Sequence, residues 1–125
     1  MANLLTLRTF SDTRGNLSVL EDHEIPFPIK RLFYIYGVDE SKRGGHRHKT
    51  THQALICLTG SCRVRVNNGQ EGQHYHLNTP KNCLILEPKD WHDLYDFAPN
   101  TILLSCASEY FNQDDYIFEE YNQAR

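Results

Sequence analysis

The amino-acid sequence predicts an all-β fold, a sandwich or a barrel, formed by one domain that spans residues 1–125. Many short segments alternate apolar and polar side chains with the period of two that half-buried strands require. Clusters of glycine, proline and asparagine separate these segments about every 8 to 12 residues, as is typical of sandwiches and barrels. Alternating strands and long helices, which a parallel sheet would need, are not indicated.

The strand pattern begins near the N-terminus and continues through most of the chain. Leucine alternates with polar residues in NLLTLRT, and aromatic and β-branched residues fill KRLFYIYGV, in which Tyr34 and Tyr36 share one face. Asn67, Asn68 and Gly69 supply the positive φ angles of a hairpin turn. The predicted strands are residues 3–9, 16–22, 30–38, about 45–51, 53–59, 62–66, 72–78, 83–88, 94–97 and 101–108.

The C-terminal segment DDYIFEEYNQA, residues 114–124, is the exception to this pattern. Its composition and spacing predict a short C-terminal helix, with the carboxylate of Asp114 or Asp115 as the N-cap. The expected architecture is therefore all-β with one short helix at the end.

The composition narrows the class of function. The net charge is −3 and the lysines and arginines are dispersed, which argues against a nucleic-acid binder. No apolar run approaches the roughly 18 to 20 residues that a transmembrane helix needs. The N-terminal residues MANLLTLRTF lack the pattern of a secretory signal. We therefore expect a soluble cytoplasmic protein without a nucleic-acid or membrane partner.

The four cysteines are expected to be reduced and buried. No two of them have the CxxC spacing of a metal or redox site. Cys57, Cys83 and Cys106 lie inside apolar runs, where a thiol behaves as a small hydrophobic side chain, and Cys62 follows a turn. Disulfides are also rare in the expected compartment.

The stretch RGGHRHKTTHQALICLTG, residues 43–60, holds the densest group of chemically active side chains. His46 and His48 are two residues apart, so on a β-strand they project from the same face toward one site. Arg43 and Lys49 add positive charge on either side. By itself this pattern leaves open an acid/base cluster, an anion-binding site and a metal site.

Two motifs resemble those of the cupin superfamily. The stretch with the histidine pair is similar to the first cupin motif, HxH followed by glutamate and then glycine, and EPKDWH at residues 87–92 is similar to the second. The resemblance implies a double-stranded β-helix, or jelly roll. Metal-binding cupins use three histidines and the glutamate, but here Gln53, an uncharged and poor ligand, replaces the glutamate. The second motif also lacks its glycine and is one residue short before His92, so we expect no essential metal.

Beyond these two motifs, matches to one narrower family run along nearly the whole chain. They are RGxL (14–17), Glu21, IPFxIKR (25–31), YI (34–35), RGxHxHK (43–49), Gln53, LxGSC (58–62), PxxWH (88–92), DF (96–97), ASxY (107–110) and DYI (115–117). These residues resemble the sugar 3,4-ketoisomerases, cupins that act on dTDP-4-keto-6-deoxyglucose. Phe118 departs from the family, which commonly has arginine after DYI.

The resemblance to the ketoisomerases implies a complete enzymatic function. The expected reaction converts dTDP-4-keto-6-deoxy-D-glucose to a dTDP-3-keto-6-deoxyhexose through an enediol, in deoxy-amino-sugar biosynthesis. The resemblance also implies that the enzyme needs no cofactor and that it is a homodimer with exchanged N-terminal strands.

Individual residues acquire expected roles from this resemblance. His46 and His48 are the catalytic acid/base pair, with His46 preferred as the base for the C3 proton, and Tyr34 donates to the enediolate. Arg14 and Arg43 bind sugar hydroxyls or the diphosphate, because the guanidinium fork suits phosphate oxygens. The other expected substrate-binding residues are Lys49, Gln53, Trp91 and His92.

Alternatives stay open at the level of sequence. The chain could be a non-catalytic cupin that binds a sugar nucleotide or another small ligand, or a metal-dependent cupin with a degenerate ligand set. Trp91, considered alone, is more typical of a core than of a ligand contact. The product configuration at C4, galacto or gluco, is also open, although the Arg14-Gly15 turn resembles that of the galacto-forming members.

Overall fold

The computed structural model describes residues 1–122 and shows an all-β architecture over this range. The strand pairs are antiparallel throughout. The strands are β1 Asn3–Thr6, β2 Arg8–Asp12, β3 Gly15–Val19, β4 Arg31–Ile35, β5 Arg43–His48, β6 Gln53–Thr59, β7 Cys62–Asn67, β8 Gly72–Leu77, β9 Asn82–Leu86, β10 Trp91–Tyr95, β11 Ile102–Ala107 and β12 Tyr116–Ile117.

Two five-stranded sheets pack face to face. The first has the strand order β1-β9-β6-β11-β4 and the second has the order β12-β5-β10-β7-β8, while β2 and β3 form a separate hairpin. The core between the sheets contains Leu55 and Leu103 from the first sheet and Val64 and Val66 from the second, all fully buried. The all-β class and the jelly roll implied by the cupin resemblance are therefore confirmed.

The period-two alternation determines which side chains fill this core. In β7, Val64 and Val66 are buried and Arg63 is exposed. The central strand β6 is buried on both faces over most of its length, because Ile25 and Phe27 cover the face that the second sheet does not reach. A strand that is covered on both faces has apolar residues at successive positions, which explains the apolar segment ALICL.

The short C-terminal helix that the sequence predicts is absent from the described residues, and this prediction is wrong. Gln113–Asp115 form a 3₁₀ turn that the side chain of Asn112 caps, and the chain then enters β12. Tertiary pairing overrides the local pattern here, since Tyr116–Ile117 bind to the edge of β5. Residues 123 and 124, the end of the predicted helix, lie outside the described residues. Within residues 1–122, no helix has the length and hydropathy needed to cross a membrane.

Smaller differences from the predicted strands occur where the backbone bends. The first predicted strand is divided at Leu7, whose backbone N donates a 2.7 Å hydrogen bond to the carbonyl of Lys81. The strand predicted at residues 94–97 instead begins at Trp91 and ends before Asp96, whose φ of 58° is not extended. The four cysteines are buried and free, as predicted.

Gly60, which ends the stretch with the histidine pair, occupies a turn that excludes a side chain. Its φ is +78°, and an added Cβ would lie only 2.7 Å from the Thr101 Cα. We expect Gly60→Ala to lower the free energy of unfolding by about 3 kcal/mol or more, because backbone strain and steric overlap add. Gly37→Ala is the matched control, since Gly37 has a φ of +66° but open space around it, and should lose only about 1 kcal/mol. Equal losses for both variants in urea denaturation would contradict this account.

Candidate active site

Strand pairing places three imidazole rings side by side. His92 on β10 lies directly opposite His46 on β5, and Tyr116 on β12 lies opposite His48 on the other side of β5. The centre of the His46 ring is 4.6 Å from that of His92 and 4.9 Å from that of His48. The Tyr116 ring completes the cluster, with its centre 4.7 Å from that of His46. His46 is therefore the central ring of the group.

The cluster borders a cavity of about 200 Å³ between the two sheets. Sites for drug-sized ligands typically measure roughly 300 to 1,000 Å³, so this cavity suits a ring-sized group and not a complete nucleotide. Both sheets contribute polar side chains, and apolar side chains form the rest of the lining, an arrangement that orients a ligand while excluding water. The lining residues are Arg43, Gly44, His46, Gln53, His92, Ser105 and Tyr116, together with Phe33, Ile35, Leu55, Leu94 and Leu103.

Both histidines that line the cavity are neutral at pH 7. Burial and the neighbouring His48 lower the pKa of His46 to about 4. Burial and the neighbouring His46 lower the pKa of His92 to about 3. A neutral imidazole keeps a lone pair on one ring nitrogen, so each ring can accept a proton without first losing one.

His48 lies behind His46 and is held at both ring nitrogens. Its Nδ1 is 2.8 Å from Asp115 Oδ2, and its Nε2 is 3.4 Å from the amide nitrogen of Gln53. Burial lowers the pKa of His48, and the opposing effect of Asp115 offsets this only in part. His48 is therefore a neutral ring with a fixed orientation.

Asp115 is the carboxylate of the cluster. Its Oδ1 accepts hydrogen bonds of 2.8 Å from both the backbone N and the Oγ1 of Thr50, and its Oδ2 accepts from Thr51 Oγ1. Burial by itself would raise the pKa of Asp115, but the hydrogen bonds from Thr51, Thr50 and His48 outweigh it and lower the pKa to about 2. Asp115 is thus ionised wherever the protein is folded near neutral pH.

Most of the residues that the sequence predicts for the site lie together in the structure. Lys49 is adjacent to the group, because its backbone N donates a 2.9 Å hydrogen bond to the carbonyl of Asp115 while its side chain is exposed. The residues that the fold brings together are Arg43, His46, His48, Gln53 and His92.

Three of the predicted residues, Tyr34, Arg14 and Trp91, do not line the cavity. Tyr34 is on the outer face of the first sheet and is 58% exposed, because the alternation along β4 directs Phe33 and Ile35 into the cavity. Arg14 lies in the turn between β2 and β3, where its side chain is 88% exposed and forms an ion pair with Asp12.

Trp91 also faces away from the cavity. Its ring is buried, and its Nε1 donates a 3.3 Å hydrogen bond to Asp93 Oδ2. Asp93 in turn forms an ion pair of 2.6 Å with Arg65. Trp91 therefore occupies a structural position, whereas the next residue, His92, points into the cavity because successive strand residues face opposite sides.

Three residues of the site were not predicted from the sequence. Asp115 and Tyr116 belong to the DYI match, so a signal was present, but the predicted helix concealed their place beside the histidines. Ser105 lines the cavity next to Leu103 in the alternation of β11, and its Oγ is buried without a hydrogen-bond partner. A buried serine carries no sequence signal beyond that alternation.

The donor set of the site fits a metal dication poorly. Among residues 1–122, no three histidine, cysteine, aspartate or glutamate side chains are arranged to hold a metal ion. Gln53 contributes an uncharged amide whose nitrogen faces His48, and both oxygens of Asp115 are engaged by other donors.

A jelly roll that directs an HxH strand toward a cavity between its sheets is the arrangement of a cupin. Within the cupins, the chain matches the family described as "FdtA: WxcM-like, C-terminal" over residues 1–124. The chain belongs to this family.

Three relatives represent the similarity. The chain is 38% identical over 116 residues to a TDP-4-oxo-6-deoxy-alpha-D-glucose-3,4-oxoisomerase from Aneurinibacillus thermoaerophilus. The aligned region covers 91% of this chain and 84% of that protein. A histidine-to-asparagine variant of the 3,4-ketoisomerase QdtA from Thermoanaerobacterium thermosaccharolyticum, solved in complex with TDP-4-keto-6-deoxyglucose, matches with a TM-score of 0.91 and 38% identity over 94% of this chain and 87% of that one. The TDP-quinovose 3,4-ketoisomerase WlaRB from Campylobacter jejuni matches with a TM-score of 0.91 and 36% identity. This match covers 94% of this chain and 92% of that one.

The lowered histidine pKa values predict a loss of stability on mild acidification. The unfolded chain binds protons at its histidines near pKa 6.5, whereas the folded chain takes them up at His46 and His92 only near pH 4 and 3. The contribution of the two neutral rings to the free energy of unfolding is therefore complete above pH 6.5 and is lost as the pH falls through about 4. Between these two pH values, each ring lowers the free energy of unfolding by about 1.4 kcal/mol per pH unit. Urea unfolding at several pH values between about 7 and 4.5 measures this slope.

Two variants separate the cavity histidines from the others. His46→Gln removes one buried ring and should reduce the slope, whereas His74→Gln, at an exposed position of β8, should retain it. An unchanged slope in His46→Gln would show that the buried rings do not cause the loss.

Proposed function

We propose that this protein is a sugar 3,4-ketoisomerase that converts TDP-4-keto-6-deoxyglucose to a TDP-3-keto-6-deoxyhexose in deoxysugar biosynthesis. The observation that carries the proposal is the neutral His46 ring in the cavity, with His48 and His92 around it. Relatives that cover most of this chain are named as 3,4-oxoisomerases or 3,4-ketoisomerases. We also propose a cytoplasmic location, where the free, buried cysteines remain reduced.

The reaction moves a carbonyl group from C4 to C3 of the sugar without net oxidation. The C4 ketone acidifies the C3 proton, a base removes that proton, and the electron pair forms the C3–C4 double bond while the C4 oxygen becomes anionic. Protonation of this oxygen gives the enediol. The C3 hydroxyl then loses its proton as C4 gains one, which leaves a ketone at C3 and a hydroxyl at C4. Atoms and electrons balance with proton transfers alone.

His46 is the base that removes the C3 proton. Its ring lines the cavity, and its lone pair is available at neutral pH. The low pKa makes it a weak base in the free protein, but a bound diphosphate adds negative charge nearby and would raise the pKa toward the working pH. His48 is the second member of the acid/base pair, and His92 closes the cavity on the opposite side.

The polar side chains that line or adjoin the cavity supply the substrate contacts. Arg43 lines the cavity and would bind the diphosphate, and the exposed Lys49, which directly follows His48, is a second candidate cation for the substrate. Gln53 offers an amide to the sugar hydroxyls, and Ser105 offers a buried hydroxyl that has no protein partner. The thymidine would extend beyond the cavity, which is too small to contain it.

Two aromatic assignments change because of the side-chain directions. Tyr34 faces outward, so the phenol nearest to the histidines within this chain is Tyr116, and we propose Tyr116 as the donor to the enediolate. Trp91 belongs to the buried network with Asp93 and is left out of the substrate contacts.

We also propose that the protein is a homodimer with exchanged N-terminal strands. The hairpin of β2 and β3 belongs to neither large sheet and exposes Phe10 and Leu17, each to 60%. Leu32 and Tyr34 extend an apolar surface on the outer face of the first sheet. A second copy that covers these surfaces would carry the hairpin, and Arg14 with it, toward the cavity of its partner. We infer a galacto product from the resemblance of the Arg14-Gly15 turn to that of the galacto-forming members.

Removal of either catalytic imidazole should abolish most of the turnover. We expect His46→Asn and His48→Asn each to lower kcat by about 10²- to 10⁴-fold, the range that one positioned acid/base group supplies. The measurement is NMR of the product formed from TDP-4-keto-6-deoxyglucose, in deuterium oxide so that exchange at C3 is followed as well.

His74→Asn, on the exposed strand β8, is the matched control and should keep full activity. Full activity of the double variant at His46 and His48 would contradict the acid/base assignment. Binding of TDP-4-keto-6-deoxyglucose by the unsubstituted protein without C3 exchange or 3-keto product would instead indicate a binding protein.

Mixing two inactive variants tests whether Arg14 acts in the partner's cavity. Arg14→Ala and His46→Asn should each be impaired alone, but co-expressed chains should recover up to about a quarter of the normal activity, since half of the dimers then contain one intact site. Purified variants that are mixed without subunit exchange provide the control. No recovery in verified mixed dimers would place Arg14 outside the partner's site.

A further inference from the structure

Asp115 is a buried carboxylate that the acid/base mechanism does not use directly. It ends the 3₁₀ turn before β12, is 7% exposed and does not line the cavity. A carboxylate in such a position is costly unless hydrogen bonds compensate for the loss of hydration. Its role therefore follows from its partners.

The partners of Asp115 determine the direction of the bond to His48. Thr50 donates twice to Oδ1 and Thr51 donates to Oδ2, so the carboxylate is ionised and can only accept. The remaining contact, 2.8 Å from His48 Nδ1 to Oδ2, is a hydrogen bond only if the proton is on Nδ1. The lone pair of the neutral ring is then on Nε2, which faces the Gln53 amide nitrogen.

We propose that Asp115 is a positioning residue that fixes His48 as the Nδ1–H tautomer, with the Nε2 lone pair directed toward the amide of Gln53, a residue that lines the cavity. This inference rests on the proposed function, because it specifies how one member of the acid/base pair is prepared. The opposite tautomer would set a lone pair against the carboxylate at 2.8 Å, which is repulsive. A correctly oriented ring needs no rearrangement before proton transfer.

A purely structural role is the competing explanation. Asp115 also anchors the C-terminal segment, since its carbonyl accepts from the Lys49 backbone N and the next residue, Tyr116, pairs with His48. These backbone contacts are independent of the carboxylate. A change that keeps the shape of the side chain while altering its hydrogen bonds therefore separates the two roles.

Asp115→Asn is that change. The amide oxygen can still accept from Thr50, whereas the amide nitrogen, placed at Oδ2, donates to His48 Nδ1 and so favours the Nε2–H tautomer. We expect kcat for TDP-4-keto-6-deoxyglucose to fall by about 10²-fold or more, with KM changed less than about threefold, because Asp115 does not line the cavity. Asp114→Asn, at the exposed neighbouring position, should behave as the unsubstituted protein does.

The deciding measurement is long-range ¹H–¹⁵N NMR of the histidine rings, which distinguishes the two tautomers without requiring activity. The His48 signals are assigned from their loss in His48→Gln. The unsubstituted protein should show the Nδ1–H tautomer at His48, and folded Asp115→Asn should show the Nε2–H tautomer. This readout is independent of turnover, so it tests the proposal even if the protein isomerises no sugar.

Three outcomes would overturn the proposal. The first is an Nε2–H tautomer at His48 in the unsubstituted protein, a result that does not depend on how any variant folds. The second is an Asp115→Asn protein that keeps the Nδ1–H tautomer, which would assign any loss of activity to packing. The third is a tautomer switch with unchanged kcat, which would separate the orientation of His48 from catalysis.

Discussion

The antiparallel pairing of β5 with β10 on one side and with β12 on the other is the constraint on which the site depends. This register sets His92 against His46 and Tyr116 against His48. A shift of one residue in this register would turn every side chain of β5 to the opposite face and would separate His46 and His48 from His92 and Tyr116. Gly44 permits the close approach, since an added Cβ would lie 2.9 Å from the His92 carbonyl oxygen. Gly44 thus belongs to the architecture of the site.

Burial gives these rings their chemical character. Desolvation holds His46 and His92 neutral, and a neutral ring can take a proton from a weakly acidic carbon–hydrogen bond. The one buried carboxylate of the cluster, Asp115, is surrounded by donors and is directed at a histidine, not at the cavity. The cavity therefore has a wall of uncharged bases with Arg43 beside it, an arrangement suited to proton transfer on an anionic substrate.

The same strands that build the cavity leave an apolar surface on their outer side. Alternation along β4 directs Phe33 inward and Tyr34 outward, so the first sheet has a face toward the site and a face toward solvent. The detached hairpin that carries Arg14 exposes apolar side chains as well. Both features favour an assembly in which the functional unit is larger than one chain.

The sequence by itself determined the elements whose signal is local: the strands with period-two alternation, the turn before Cys62, the free cysteines and the common face of His46 and His48. Tertiary structure decided what alternation leaves open. A period of two places Phe33 and Tyr34 on opposite faces of β4 but does not determine which of the two faces inward. At the C-terminus, where the local pattern predicted a helix, the chain instead pairs with β5. The partnership of Asp115 with His48 joins residues 67 positions apart, a contact that only the folded register of distant strands could create.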